Sequence, residues 1–173
     1  PKVWFVKYRN RDKAEHFRLI VLSRNLTFDR SWDVGVTLNG TKGSPFKSEN
    51  QPMIDFLKYL RSCIHIESDN DIRKRAMIRD MALELSSVFF DANQRPFTGF
   101  EFIPSGIPGN DGKRYSLVNT PLFEKNFQEL MIMSPFLSTS VIRGFNDCSR
   151  DLKNARRLLF TRRDALRSLA LSD

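Results

Sequence analysis

Two short segments dense in β-branched and aromatic residues, Val3–Tyr8 and Phe17–Leu22, bracket a polar stretch running from Arg9 to His16. Strands flanking such a stretch, with no apolar periodicity inside it, have the pattern of a β-hairpin. The hairpin is expected to turn about Asp12 and Lys13. A third strand, Trp32–Leu38, is expected to end at Asn39-Gly40, a dipeptide that favours tight turns.

Helical periodicity follows. After a loop over Thr41–Asn50, Pro52 suits the first turn of a helix whose apolar residues are Ile54, Leu57 and Leu60. A second helix, from Asp71 to about Leu85, should be capped by Asp69 or Asn70. Its apolar stripe would be Ile72, Ala76, Ile78, Met81, Ala82 and Leu85. Beyond Phe97 the texture changes. Gly99–Ile103 is strand-like, Pro104–Gly112 is a loop, and Leu130–Met133 is an apolar run of the kind found in a strand covered on both faces. Ser138 or Thr139 would cap the next helix. Arg157–Thr161 reads as another buried strand, and Asp164–Leu171 as the closing helix. Alternating strand and helix implies parallel α/β packing. The expected fold class is therefore α/β, a mixed sheet flanked by helices in α/β/α layers.

Composition narrows the function classes. Of 173 residues, 40% are hydrophobic and 15 are Phe, which fits core filling in a globular domain. No apolar run approaches the roughly 18 residues of a membrane span. The chain opens on Pro1-Lys2-Val3-Trp4-Phe5 without Met or a signal-like stretch, as a strand entered midway would, so the true N-terminus is expected upstream. Cys63 and Cys148 form no C-x-x-C pair, and His16 and His65 are the only histidines, so neither a zinc site nor a disulfide scaffold is expected. A reducing, cytoplasmic setting is the default. The net charge of +8 favours partners that carry phosphate. The excess collects at Arg73, Lys74, Arg75 and Arg79, and again at Arg150, Lys153, Arg156, Arg157, Arg162, Arg163 and Arg167. The second group is the candidate nucleic-acid contact.

The candidate site lies at the start of the chain. In a hairpin centred between Asp12 and Lys13, Lys2 sits opposite Ser23, and the residue before Pro1 sits opposite Asn25. Strand alternation then gathers a cation, a hydroxyl and an amide on one face, as a phosphate-binding surface requires. His16-Phe17-Arg18 imitates H-x-K, but His16 is too close to Ser23 for two strands and a turn to intervene, so it is read as a loop residue. His65, between Ile64 and Ile66, is read as structural.

These residues resemble the phospholipase D superfamily, which carries H-x-K on one strand, G-S-x-N on the next and an acidic residue on the strand after. Pro1-Lys2 resembles the end of an H-x-K whose His lies just upstream. Ser23-Arg24-Asn25-Leu26-Thr27 resembles S-x-N-L-T, and Trp32–Val36 the acidic strand with Asp33. Met133–Ser138 resembles the S-P-F strand that opens the second half of such proteins. On this basis residues 1–127 would be the latter part of one half and residues 128–173 the opening units of the other. Three positions depart from the family: Leu22 stands for Gly, Asp33 for Glu, and Lys7 for an Asp that the tyrosyl-DNA phosphodiesterase branch also lacks.

The resemblance implies phosphodiester cleavage through a phosphohistidine, with one His as nucleophile and the His of the other half as general acid. Lys2 and Asn25 would hold the non-bridging oxygens, Ser23 would help fix them, and Asp33 would orient the upstream His. No cofactor or metal is implied. Nucleic acid, DNA before RNA, is the expected partner, with a second copy or the missing half completing the site. Residues 1–173 alone are then expected to lack turnover. Two alternatives remain: lipid headgroup hydrolysis or transfer, and a non-catalytic DNA-binding or scaffolding module of the same fold.

Overall fold

In the computed structural model, residues 2–23, 34–43, 46–92, 97–117, 120, 127–147 and 154–170 are described. The chain divides into two compact units, Pro1–Arg114 and Tyr115–Asp173. The protein is α/β, with an antiparallel four-stranded sheet in the first unit and a parallel two-stranded sheet in the second.

The first unit begins with β1 (Lys2–Arg9), β2 (Glu15–Leu22) and β3 (Gly35–Lys42). A 3-10 turn then leads into α1 (Gln51–Ser62), followed by α2 (Asp69–Leu85) and β4 (Val88–Asp91). The sheet order is β1-β2-β3-β4, every neighbouring pair antiparallel. Alternation gives the sheet one apolar face. Phe17, Leu19, Leu38, Val88 and Phe90 point to that side and are buried with Met53, Ile54 and Leu57 of α1 and Ala82 and Leu85 of α2. Val3, Phe5 and Val21 flank this core.

Several expectations are refined by this packing. Asn39-Gly40 is not a turn: β3 runs through it, pairing Asn39 with Asp91 and Gly40 with Phe90. A Cβ on Gly40 would lie 2.7 Å from Val88 Cγ1 and 2.9 Å from two Phe90 ring carbons. The glycine is there for close approach, not for a bend. The cap of α2 is Ser68 rather than Asp69 or Asn70: its Oγ accepts from Asp71 N and donates to the Asp71 carboxylate. That bond and Lys74 hold the Asp71 carboxyl down at about 2. Only the C-terminal half of the α2 stripe meets the core, and Ile72 stays exposed. Among the described residues, Gly99–Ile103 forms no strand; the fourth strand is β4, which lies on no expected element.

Buried Asn50 ties the helical layer to the sheet. Its Nδ2 donates to Leu85 O and Val88 O, both at 2.7 Å, which closes the corner between α2 and β4. Lys47 N and Gly43 N stitch the chain after β3 to Ser86 O and Ser87 O of the same corner.

The second unit holds β5 (Glu129–Met133), α3 (Thr139–Asp147), β6 (Arg156–Phe160) and α4 (Arg163–Ala170). β5 and β6 are parallel neighbours, as the strand–helix alternation implies. Both strands were expected to be buried. Instead Met131, Met133 and every residue of β6 are exposed.

Candidate functional site

The hairpin register decides which residues share a face. Lys2 pairs with Leu22 and Val3 with Val21, one step from the expected register. The cause lies in the turn. Lys13 adopts a left-handed conformation with φ 60°. Lys13 N donates to Asn10 O and Asn10 N to Ala14 O, so the loop holds an odd number of residues and centres on Asp12. Lys2 therefore lies on the face of Trp4 and Leu22. Continuing the pleat, Ser23 lies on the opposite face, with Val3 and Val21. The convergence of Lys2 and Ser23 on one face is not what the ladder produces.

What the two residues share is an end of the sheet. Lys2, Leu22 and Gly35 form one row across β1, β2 and β3. Ser23 continues past it and closes the neck of the segment 24–33. Its N donates to Val34 O at 2.9 Å, and Val34 N donates to its Oγ at 3.0 Å. The hydroxyl thus accepts a backbone bond across the neck. Asn25 and Asp33 belong to the segment held by this neck and lie outside the described residues. Lys2 is exposed.

Lys7, where the resembled family has an acid, sits at the far end of β1, about 17 Å along the strand from Lys2. Its Nζ donates to the Glu84 carboxylate at 2.6 Å and pairs with Glu15 at 3.1 Å. Glu84 first, then Glu15, raise the Lys7 pKa. Hydrogen bonds from Arg9 and then Lys7 hold the Glu15 carboxyl at about 2. Lys42 approaches both acids at 3.6 Å. This cluster neutralises the rim of the apolar face.

His16 is not in a loop. It lies in β2, stacked on Tyr8 with ring centroids 5.5 Å apart. His65 is exposed beyond α1 rather than enclosed.

The basic segment is only partly assembled. Arg150 and Lys153 lie outside the described residues. Arg163 and Arg167 share one side of α4 at i,i+4 spacing and are exposed. Arg156 and Arg157 point to opposite faces of β6; the first faces Glu129 at 3.7 Å and the second donates to Asn146 O at 3.3 Å. Arg162 is occupied by a two-point pair with Asp164. In the first unit, Lys74 and Arg79 are paired with Asp71 and Asp80.

Two features had no sequence signal of their own. One is an apolar cleft of about 860 Å³ beside the core face, walled by Val3, Val21, Phe56, Phe100 and Phe102. Its wall from Phe97 to Ile107 is irregular chain, which periodicity does not reveal. The other is the second face of the sheet, where Trp4, Tyr8 and Phe89 are exposed. Among the described residues no cluster of His, Cys, Asp or Glu has the grouping of a metal site, and no helix is long and apolar enough to cross a membrane. No family model matches the chain, nor does any curated protein or solved structure.

Proposed function

We propose that this chain carries part of the phosphate-binding apparatus of a phospholipase D-like phosphodiesterase acting on nucleic acid. The observation that supports it is the row Lys2–Leu22–Gly35, with the neck at Ser23 and Val34 immediately beyond it. One end of one sheet thereby brings together the cation and both anchor points of the segment bearing Asn25 and Asp33. Lys2 supplies positive charge for a non-bridging phosphate oxygen, where it would stabilise the charge that grows in the transition state. Asn25 supplies an amide donor. Ser23 acts as a positioning residue, because its hydroxyl already accepts from Val34 N. The nucleophilic and acidic histidines of the reaction would come from outside residues 1–173.

The test uses the gene-encoded protein with its flanking sequence, assayed on a chromogenic phosphodiester and on DNA in the presence of chelator. Turnover is expected, and Lys2→Ala should lower it by roughly a hundredfold, the scale for removing one preorganised stabiliser. Residues 1–173 alone should show none. Robust turnover by residues 1–173, or a flanked protein that works only with added metal, would overturn the assignment.

A further inference from the structure

We infer that the open face of the four-stranded sheet is a stacking platform for single-stranded nucleic acid. The inference stands apart from the phosphodiester chemistry, since it concerns the middle and far end of the sheet. The helices α1 and α2 pack on one face only, with Phe17, Leu19 and Leu38. On the other face the register aligns Tyr8, His16, Thr41 and Phe89 in one row across all four strands. Trp4 stands on the same face, four residues along β1 from Tyr8. Trp4 is 49% and Phe89 48% exposed, so each ring leaves about half its surface to a ligand.

Cations accompany these rings. The Arg18 guanidinium lies 5.5 Å from the Tyr8 ring, and Lys47 Nζ lies 5.5 Å from the Phe89 ring. Arg18 is also fixed by its bond to Asn39 Oδ1 at 3.0 Å. The Tyr8–His16 stack and the Arg18 contact hold the rings in place before any ligand arrives, which lowers the ordering cost of binding. Aromatic faces to stack bases and neighbouring cations to meet phosphates are the two components of sequence-tolerant single-strand binding. Trp4 to Tyr8 is about 13 Å along the strand and Tyr8 to Phe89 about 14 Å across it. A platform of that size takes on the order of four nucleotides. Duplex is the weaker ligand, because its base faces are already covered by one another.

The experiment is equilibrium anisotropy of a labelled oligothymidylate with the 173-residue chain, read without turnover. The expected result is salt-dependent binding that an abasic strand of equal length and charge does not reproduce. Trp4→Ala, Tyr8→Ala and Phe89→Ala should each weaken it about tenfold with the circular dichroism spectrum unchanged. Should a variant fail to fold, photo-cross-linking of a 5-bromouridine strand to the unaltered chain should map to Trp4, Tyr8 or Phe89. Equal affinity for the abasic strand, cross-links confined to other segments, or no binding would overturn the inference. So would self-association through this face, seen by sedimentation and abolished by Tyr8→Ala, since the face would then be covered by protein.

Discussion

Replacing Asn50 isolates the corner that holds α2, β4 and the start of α1 together. The side chain is fully buried, and its amide is the donor to two backbone carbonyls, Leu85 O and Val88 O. Its orientation follows from its surroundings: with the amide reversed, an oxygen would face two oxygens at 2.7 Å. Among the described residues, Asn50 Oδ1 meets no donor. Asn50→Ala strands both carbonyls, each at a cost of about 1–3 kcal/mol, and relieves one unmet acceptor. The net loss should be about 3 kcal/mol, equivalent to a drop of about 10 °C in Tm for a unit of this size. Asn50→Asp keeps the shape but removes the donors. A carboxylate there is disfavoured beside two carbonyls, so its folded pKa is raised. A raised pKa means the loss is smallest below the ordinary carboxylate range, where the carboxyl O–H still serves one of the two carbonyls. It grows as pH rises from there to the folded value, above which it is constant. Thermal melts of both variants between pH 4 and 8 make the measurement. An Asn50→Asp protein whose deficit does not grow with pH would refute this account of the corner, as would an Asn50→Ala protein within about 0.5 kcal/mol of the parent.

Three further outcomes follow from the same geometry. Gly40→Ala should cost about 1–3 kcal/mol by overpacking against Val88 and Phe90, read as a lower urea midpoint; an unchanged midpoint would mean that β4 sits farther from β3. The Glu15 and Asp71 carboxyls are depressed to about 2, so the stability they contribute is present above the ordinary carboxylate range and is lost as pH falls toward 2. Glu15→Gln should flatten its part of an acid titration of Tm, and high salt should shrink the effect because the groups are near the surface. Arg163→Ala with Arg167→Ala should reduce the slope of log affinity for DNA against log salt by about one to two, and an unchanged slope would remove α4 from the contact.

The sequence patterns revealed element type well and environment poorly. Strand pairing of β1 with β2, the Pro52-initiated helix and the parallel pair β5–β6 were legible because each depends on local signals: alternation, a capping position, an apolar run. Register was not legible. It hinges on Lys13, a residue with no special tendency to left-handed φ, adopting that conformation and shifting every cross-strand partner by one. Asn39-Gly40 misled for a complementary reason. The dipeptide signals a turn only when the chain is free to reverse there, and β4 instead occupies the space beside Gly40. β4 itself is short, half of its side chains point outward, and it follows α2 with only Ser86 and Ser87 between. Of the candidate site, Lys2 and Ser23 do lie at the same end of the sheet, whereas their shared face was an extrapolation of the wrong register.

The two ends of β1 carry opposite electrostatic assignments, and this bears on the Lys7 departure. At the far end, Lys7 and Lys42 face Glu15 and Glu84 across the rim of the core, so the charges satisfy one another within the fold. An acid in place of Lys7 would meet Glu15 and Glu84 and repel both. Lys7 is therefore matched by its neighbours and belongs to the stability of the first unit. At the near end, Lys2 is exposed and stands beside the neck of the segment that carries Asn25 and Asp33. About 17 Å of strand separates the two lysines, close to twice the Debye length in physiological salt, so a charge exchanged at one end is largely screened from the other. Lys7 is thus spent within the fold, whereas Lys2, at the open end of the sheet, is left exposed to a ligand.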